Sequence, residues 1–346
     1  MATYCVSKQV TRLAKQYTTI NDIAHAAGVS KTTVSRYLNG HFERMSEQTR
    51  QKIVQIIEET GYQANSQAQA LSHRQSHLIG MVVADIENIF SSLLFKGADQ
   101  VLAAADYSIM LMNANNSATL ERRQLERLIK LRVDGVILQP SLMNADTYQL
   151  LADAQVPTII VDRKVTPAKW PQVVTDNQGY SKLLVDYAAR QGFQQVVVLS
   201  EAINANSARL ERLAGVQAAA KEHDLTVHQV EITRDEPTGS IYAKLAQVPD
   251  WLNGRTVIYA FKGTLLTRLM ETLVEFNVQI PKEVGVMAFD DWDWAKLMSP
   301  QITTIQQDPQ QLGQVAAKTS SPCSTTRRSR LRPWSIPRLW FESRYS

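Results

Sequence analysis

Apolar residues at helical spacing open the readable part of the chain. Ile20, Ile23, Ala24 and Ala27 share one face, with Thr19 and Asp22 placed as a capping box before them. Gly28 stops that helix, Val29 is placed to plug the corner, and Ser30 caps the next helix. On a wheel at about 100° per residue, Lys31, Thr32, Ser35, Arg36 and Asn39 form one polar arc. Thr33, Val34, Tyr37 and Leu38 fall opposite, Val34 and Tyr37 deepest. A third helix is predicted from a cap at Ser46, an inward stripe of Ile53, Ile56 and Ile57, and a stop at Gly61. Three short helices, the second showing a donor-rich face without acids, fit a unit that reads DNA. Taken singly, "AGVS" is any helix–helix corner and the arc a solvated face. It is the joint pattern of cap, glycine, plug, cap and stripe that favours the DNA reading.

Residues 65–77, "NSQAQALSHRQSH", are polar, with one small apolar ridge of Ala68 and Leu71. They read as a linker, because so short a helix is marginal in water. From Leu78 the pattern alternates β-rich apolar runs with amphipathic helical segments: "LIGMVVA", "SIMLM", "DGVILQ", "PTIIVD", "QVVVLS", "TVIYAF" and "VGVMAFD". That alternation predicts an α/β core of two doubly wound subdomains with parallel sheets, behind a small all-α headpiece. Such sheets bind ligands at the carboxyl ends of their strands. The run ends therefore nominate Asp85, Asp162, Arg163, Lys262, Asp290 and Asp291, each of which could instead cap the following helix.

Composition narrows the function. The chain has 346 residues, 44% apolar and 20% charged, in the range of a globular protein of two or three domains. It has no apolar run long enough to span a bilayer, and residues 1–17 lack the apolar core of a secretion signal, so a cytoplasmic protein is expected. Cys5 and Cys323 make neither a disulfide framework nor a zinc site. The net charge of +4 is uneven: residues 1–77 carry nine Lys/Arg against five Asp/Glu, and 319–346 six against one, leaving the middle acidic. A basic front on an acidic body points to a polyanion partner.

Enzyme signatures are missing. The fourteen glycines never reach GxG spacing, and neither HExxH nor GxSxG occurs, so no cofactor and no catalytic residue is implied. Asp290 and Asp291 could be a carboxylate pair, but adjacent residues at a strand end point apart. His73 and His77 have no third ligand nearby, so no metal is expected.

"TINDIAHAAGVSKTTVSRYLNG", followed by "SEQTRQKIVQIIEETGYQANSQAQAL", resembles the DNA-binding headpiece of the lactose/galactose repressor (LacI/GalR) family over residues 18–80. The resemblance implies that Lys31, Thr32 and Arg36 read bases in the major groove, Arg36 being best placed for a guanine. Thr19, Ser30, Ser35 and Asn39 would position phosphates. It also implies that paired hinges of a homodimer become helical on a pseudo-palindromic operator and wedge Leu71, with Ala68 beside it, into the minor groove.

"DIENIFSSLLFKGADQVLAAADYSIMLMNANN", "VVTDNQGY", "NSARLERLAGVQAA" and "VGVMAFDDWDWAKLMSPQITTIQQDPQQLGQVAA" resemble the effector-binding core of the same family, which has the periplasmic sugar-binding fold. The implied cleft residues are Phe90, Asp176, Asn206, Arg212, Asp290 and Gln307. The implied organisation is a leader at 1–17, headpiece at 18–64, hinge at 65–77 and core at 78–318. The core would divide into 78–176 plus 306–318, and 177–305.

Two departures stand out. Phe261-Lys262 replaces the Asn-Asp of many relatives; with Arg163 and Arg212 it would suit a carboxylate-bearing sugar. A solvent-facing Lys262 and a neutral sugar are the alternative. After Lys318 the apolar period is lost in a Ser/Arg-rich tail, 319–346, although "IPRLWFESR" is similar to a family C-terminus. A disrupted reading frame or a basic arm would explain it, and residues 319–335 are expected to be irregular. The function implied is a transcriptional repressor of carbohydrate-utilisation genes, released from its operator by a sugar or sugar-acid effector. The alternatives are corepression, or a sugar carrier or enzyme on the same core.

Overall fold

The computed structural model describes residues 19–38, 40–43, 45–62, 75–320 and 337–338. The chain divides into two compact units, Met1–Ser76 and His77–Ser346. Asn39, Ala68 and Leu71 lie outside the described residues.

In the first unit, α1 (Ile20–Ala27), α2 (Lys31–Leu38) and α3 (Glu47–Thr60) each contribute one fully buried side chain, Ile23, Val34 and Ile53. Ile20, Val29, Leu38, Ile56, Ile57 and Tyr62 pack around them. A core this small is held as much by its ends as by its centre. Thr19 and Asp22 form the reciprocal box, the Thr19 amide donating to Asp22 Oδ2 at 2.7 Å and the Asp22 amide to Thr19 Oγ1 at 3.4 Å. Gly28, at φ 67°, turns the chain into the left-handed region and donates to the Ala24 and His25 carbonyls. Ser30 accepts from the Thr33 amide at 3.2 Å, and Ser46 from the Thr49 amide at 3.2 Å. Each such cap is worth about 1 kcal/mol. Val34 is deeper than Tyr37, which is half-buried and rests against the Phe42 ring at 5.8 Å.

The second unit holds two parallel sheets. The first is built from β1 (Leu78–Val83), β2 (Ser108–Asn113), β3 (Gly135–Leu138), β4 (Thr158–Val161) and β5 (Gln172–Val173), in the order β2-β1-β3-β4-β5. The helices α4 (Ile89–Ala103), α5 (Ala118–Lys130) and α6 (Gln149–Asp153) accompany it. The second sheet comprises β6 (Gln195–Ser200), β7 (Thr226–Glu231), β8 (Thr256–Ala260), β9 (Gly285–Phe289) and β10 (Thr303–Gln307), in the order β10-β9-β8-β6-β7. Its helices are α7 (Asn177–Arg190), α8 (Ser207–His223), α9 (Thr238–Leu245) and α10 (Gly263–Glu275). Apolar cores lie on both faces of each sheet, which is why β3, β4, β8 and β9 are buried end to end instead of alternating.

The chain passes from the first sheet to the second between Val173 and Asn177. It returns after Gln307 through α11 (Pro309–Ser320), which lies along α4. Two glycines make that helix contact possible. A Cβ at Gly97 would stand 1.8 Å from the Gln310 carbonyl oxygen, and one at Gly313 2.1 Å from that of Leu94. The expectation of irregular backbone from 319 fails at its start: α11 continues through Thr319 and Ser320, carried by its packing on α4. Residues 321–335 lie outside the described residues. Pro337–Arg338 pairs antiparallel with Gln306–Gln307 at the edge of the second sheet. Among the described residues no helix is long and apolar enough to cross a membrane.

Candidate functional site

On α2, Lys31, Thr32 and Arg36 are exposed together, Ser35 is half-buried beside them, and no acid occupies the first turn. Ser30 and Thr19 cap helices at neighbouring corners. Three of the nominated side chains therefore share one free face, and two are held by the backbone they cap.

The second candidate is a cleft between the two sheets, about 620 Å³ including its mouth. Strand ends from both subdomains converge on it: Asp85 after β1, Gln139 after β3, Asp162 and Arg163 after β4, Lys262 after β8, Asp290 after β9 and Gln307 closing β10. Phe90 enters from the start of α4, and Asn206, Arg209 and Arg212 from the start of α8. Asp162 and Asp290 both have left-handed backbone, at φ 65° and 69°. Asp tolerates that region better than bulkier residues, and strain of this kind gathers at binding sites.

The floor is a chain of hydrogen bonds. Asp290 accepts from the Gln307 amide at 3.1 Å and from Gln307 Nε2 at 2.7 Å, while Thr175 Oγ1 donates to Gln307 Oε1 at 2.6 Å. Burial pushes the Asp290 carboxyl up to about 6, against the opposing pull of Arg212 and of the bonds from Gln307. Arg212 is itself buried. It donates through Nε to Asn177 Oδ1 at 2.8 Å and through Nη1 to the Phe261 carbonyl, and lies 3.6 Å over the Phe289 ring. Burial lowers its pKa, but a guanidinium stays protonated. Across the cleft, Gln139 accepts from the Ala84 amide at 2.8 Å and donates to Asp162 Oδ2 at 2.7 Å. Arg163 stands 3.6 Å from Asp162 and donates to the Pro140 carbonyl at 3.2 Å.

Lys262 does not point to solvent. It is 22% exposed and contacts Glu201 Oε1 at 2.7 Å, while Arg209 pairs with the other oxygen of the same carboxylate. Burial lowers the Lys262 pKa, against Glu201, which favours its charged form. At the mouth, Arg234 of the second subdomain bridges to Asp85, at 3.2 Å, and Glu87 of the first.

Nine of the eleven residues nominated for the cleft thus line it. Asp176 does not. It is exposed and caps α7, its Oδ1 accepting from the Gly179 amide at 2.9 Å. The strand-end aspartates lining the cleft are Asp85, Asp162 and Asp290, and the buried neighbour Asn177 serves as the anchor of Arg212. Asn206 lines the cleft while capping α8, accepting from the Ala208 amide at 2.9 Å. Asp291 is buried but turned away, accepting from the Asp293 amide at 3.2 Å. The sequence reading missed Gln139, Arg209 and Glu201. Gln139 and Glu201 are polar residues at the ends of quoted apolar runs, a signal that could have found them. Arg209 shows none, because its direction depends on how α8 meets the sheet.

Residues 19–65 match the family described as bacterial regulatory proteins, lacI family, and residues 76–344 match the periplasmic binding proteins and sugar binding domain of LacI family. The chain is 34% identical over 305 residues to the HTH-type transcriptional regulator KdgR of Bacillus subtilis (strain 168), across 87% of this chain and 89% of that protein. It is similar to the crystal structure of a LacI transcriptional regulator from Lactobacillus brevis, with a TM-score of 0.66 and 29% identity over 76% of this chain and 100% of the other. The lac repressor dimer bound to operator and the anti-inducer ONPF shares the fold, with a TM-score of 0.73 and 20% identity over 88% and 92% of the two chains. A helix–turn–helix unit joined to a binding-protein core, with relatives named as transcriptional regulators, makes this chain a non-enzymatic, DNA-binding regulator. It belongs to the LacI family of bacterial transcriptional regulators.

Proposed function

We propose that the protein is a cytoplasmic repressor of carbohydrate-utilisation genes whose homodimer leaves a pseudo-palindromic operator when a sugar acid enters the interlobe cleft. The observation that carries the effector class is the surplus of cations in the cleft. Four cations, Arg163, Arg209, Arg212 and Lys262, line it against three acids, Asp85, Asp162 and Asp290. A ligand carboxylate balances that surplus, and Asp162, Asp290, Gln139 and Asn206 offer partners for hydroxyls.

In this reading, Lys31, Thr32 and Arg36 contact bases, Thr19, Ser30, Ser35 and Asn39 contact the backbone, and residues 65–77, with Ala68 and Leu71, transmit the state of the core. Two headpieces would meet half-sites about 10 base pairs apart or slightly more. Effector binding between the lobes favours one of their arrangements, and a coupling of about 1–3 kcal/mol per effector changes occupancy several-fold or more. Selection of duplexes from a random pool, followed by operator titration with gluconate, 2-keto-3-deoxygluconate and glucose, tests this. A half-site pair released by an acid is expected. Failure to select any duplex at low salt, or release by glucose in preference to the acids, overturns it.

A further inference from the structure

Among the described residues, Glu201 is the one acid that touches two cleft cations without lining the cleft. It follows β6 and begins the irregular segment 201–206, which makes one short 3-10 turn, Ile203–Ala205, before α8. Its carboxylate spans Lys262, at 2.7 Å, and Arg209, and the three side chains are 17%, 22% and 16% exposed. Lys262 and Arg209 both line the cleft. Lys262 is also the N-cap residue of α10 and makes no side-chain cap to it, so its ammonium is given over to Glu201.

That arrangement is a binding seat for a carboxylate, and the protein's own side chain sits in it. Burial would raise the Glu201 carboxyl, yet Lys262 and then Arg209 hold it below the usual carboxylate range. It is therefore ionised, and a second carboxylate cannot share both cations without like-charge repulsion.

We propose that Glu201 is a specificity residue that competes with the effector's carboxylate for Lys262 and Arg209, so that an acidic effector binds by displacing it. This rests on the sugar-acid reading above. The carrier segment suits the role: residues 201–206 lie outside the sheet and outside α8, so Glu201 can swing into water without breaking either. The exchange is one anion for another on the same cations. An acid gains its ion pairs only after Glu201 gives them up, and a neutral sugar gains nothing from the swap. Glu201 thereby sets a threshold that excludes weakly held anions and lowers the acid affinity to a useful range.

The test uses the full-length protein and isothermal calorimetry with gluconate, 2-keto-3-deoxygluconate and glucose. E201Q keeps the shape and removes the charge. It should tighten the acids about tenfold, the worth of one charge-assisted bond no longer exchanged, and shift glucose far less. E201A should act in the same direction, guarding against a fault peculiar to glutamine. In a K262M background the gain from E201Q should shrink, because the shared cation is gone. If wild type prefers an acid but E201Q binds it equally or more weakly, Glu201 holds the cations in position and the competition idea fails alone. If wild type prefers glucose, or neither acid binds any of these proteins, the sugar-acid reading falls and this inference with it.

Discussion

Gln307 grips Asp290 twice, its backbone amide donating to one carboxylate oxygen at 3.1 Å and its side-chain amide to the other at 2.7 Å. The two residues end neighbouring strands, and Gln307 is the last residue of its sheet before the chain crosses to α11. Thr175, on the earlier crossing between Val173 and Asn177, bonds the same glutamine. A ligand that pulls on Asp290 would therefore pull on two of the segments by which the chain passes between the subdomains.

The first prediction concerns pH. An acid whose folded-state pKa is raised holds its proton more readily in the folded state, so its contribution declines as pH climbs from the unfolded value, near 3.8, through about 6. The gap of about two pH units corresponds to roughly 3 kcal/mol. Denaturation of wild type and Asp290→Asn across pH 4–8 should show wild type losing ground relative to the variant up to about pH 6.5 and then a constant difference. A pH-independent difference throughout would show that Asp290 titrates normally.

Arg36 is exposed on the acid-free face of α2. Arg36→Ala should relax base choice at one position of each half-site, at a cost of about 1–3 kcal/mol there, and reduce affinity for unrelated duplexes only slightly. Anisotropy titrations against operators mutated one base pair at a time would detect it. A uniform loss on every sequence would reassign Arg36 to the phosphates.

Arg212 links Asn177, the Phe261 carbonyl and the Phe289 ring beneath the cleft. Arg212→Ala should abolish the effector response while operator binding persists. It also strands buried acceptors, so stability should fall by about 3 kcal/mol or more. An operator-release assay at a temperature well below the variant's melting point separates the two effects. Unchanged release by effector would mean that the ligand sits elsewhere.

Gly97 and Gly313 allow α4 and α11 to touch through their backbones. With the Gln310 carbonyl oxygen 1.8 Å from any added Cβ, Gly97→Ala must push the helices apart. The expected cost is about 3 kcal/mol or more, at the upper end for overpacking, because backbone rather than a flexible side chain must yield. Urea denaturation gives the number, and a loss under about 1 kcal/mol would mean the contact is loose.

Local chemistry made much of this protein legible before any coordinates. The capping box at Thr19 and Asp22, Gly28 at the corner and the apolar stripes of α1 to α3 are statements about residues three or four apart, and short-range sterics and hydrogen bonding decide them. The buried parallel strands announced themselves as unbroken apolar runs, and polar residues at their ends pointed to the cleft. Asp176 shows the limit of that reading. An aspartate at a helix start and an aspartate facing a ligand look alike in one dimension, and only the position of α7 shows that this one faces solvent.

What the tertiary structure alone decided is pairing across distance. Lys262 and Arg209 lie far apart in the chain, and nothing near either one announces that both close on Glu201. The composition set the charge of the cleft, but the packing of α8 and α10 on the second sheet determined which of those charges already have partners. Electrostatic energy depends on separations of a few ångströms and on exclusion of water, and both are properties of the folded chain.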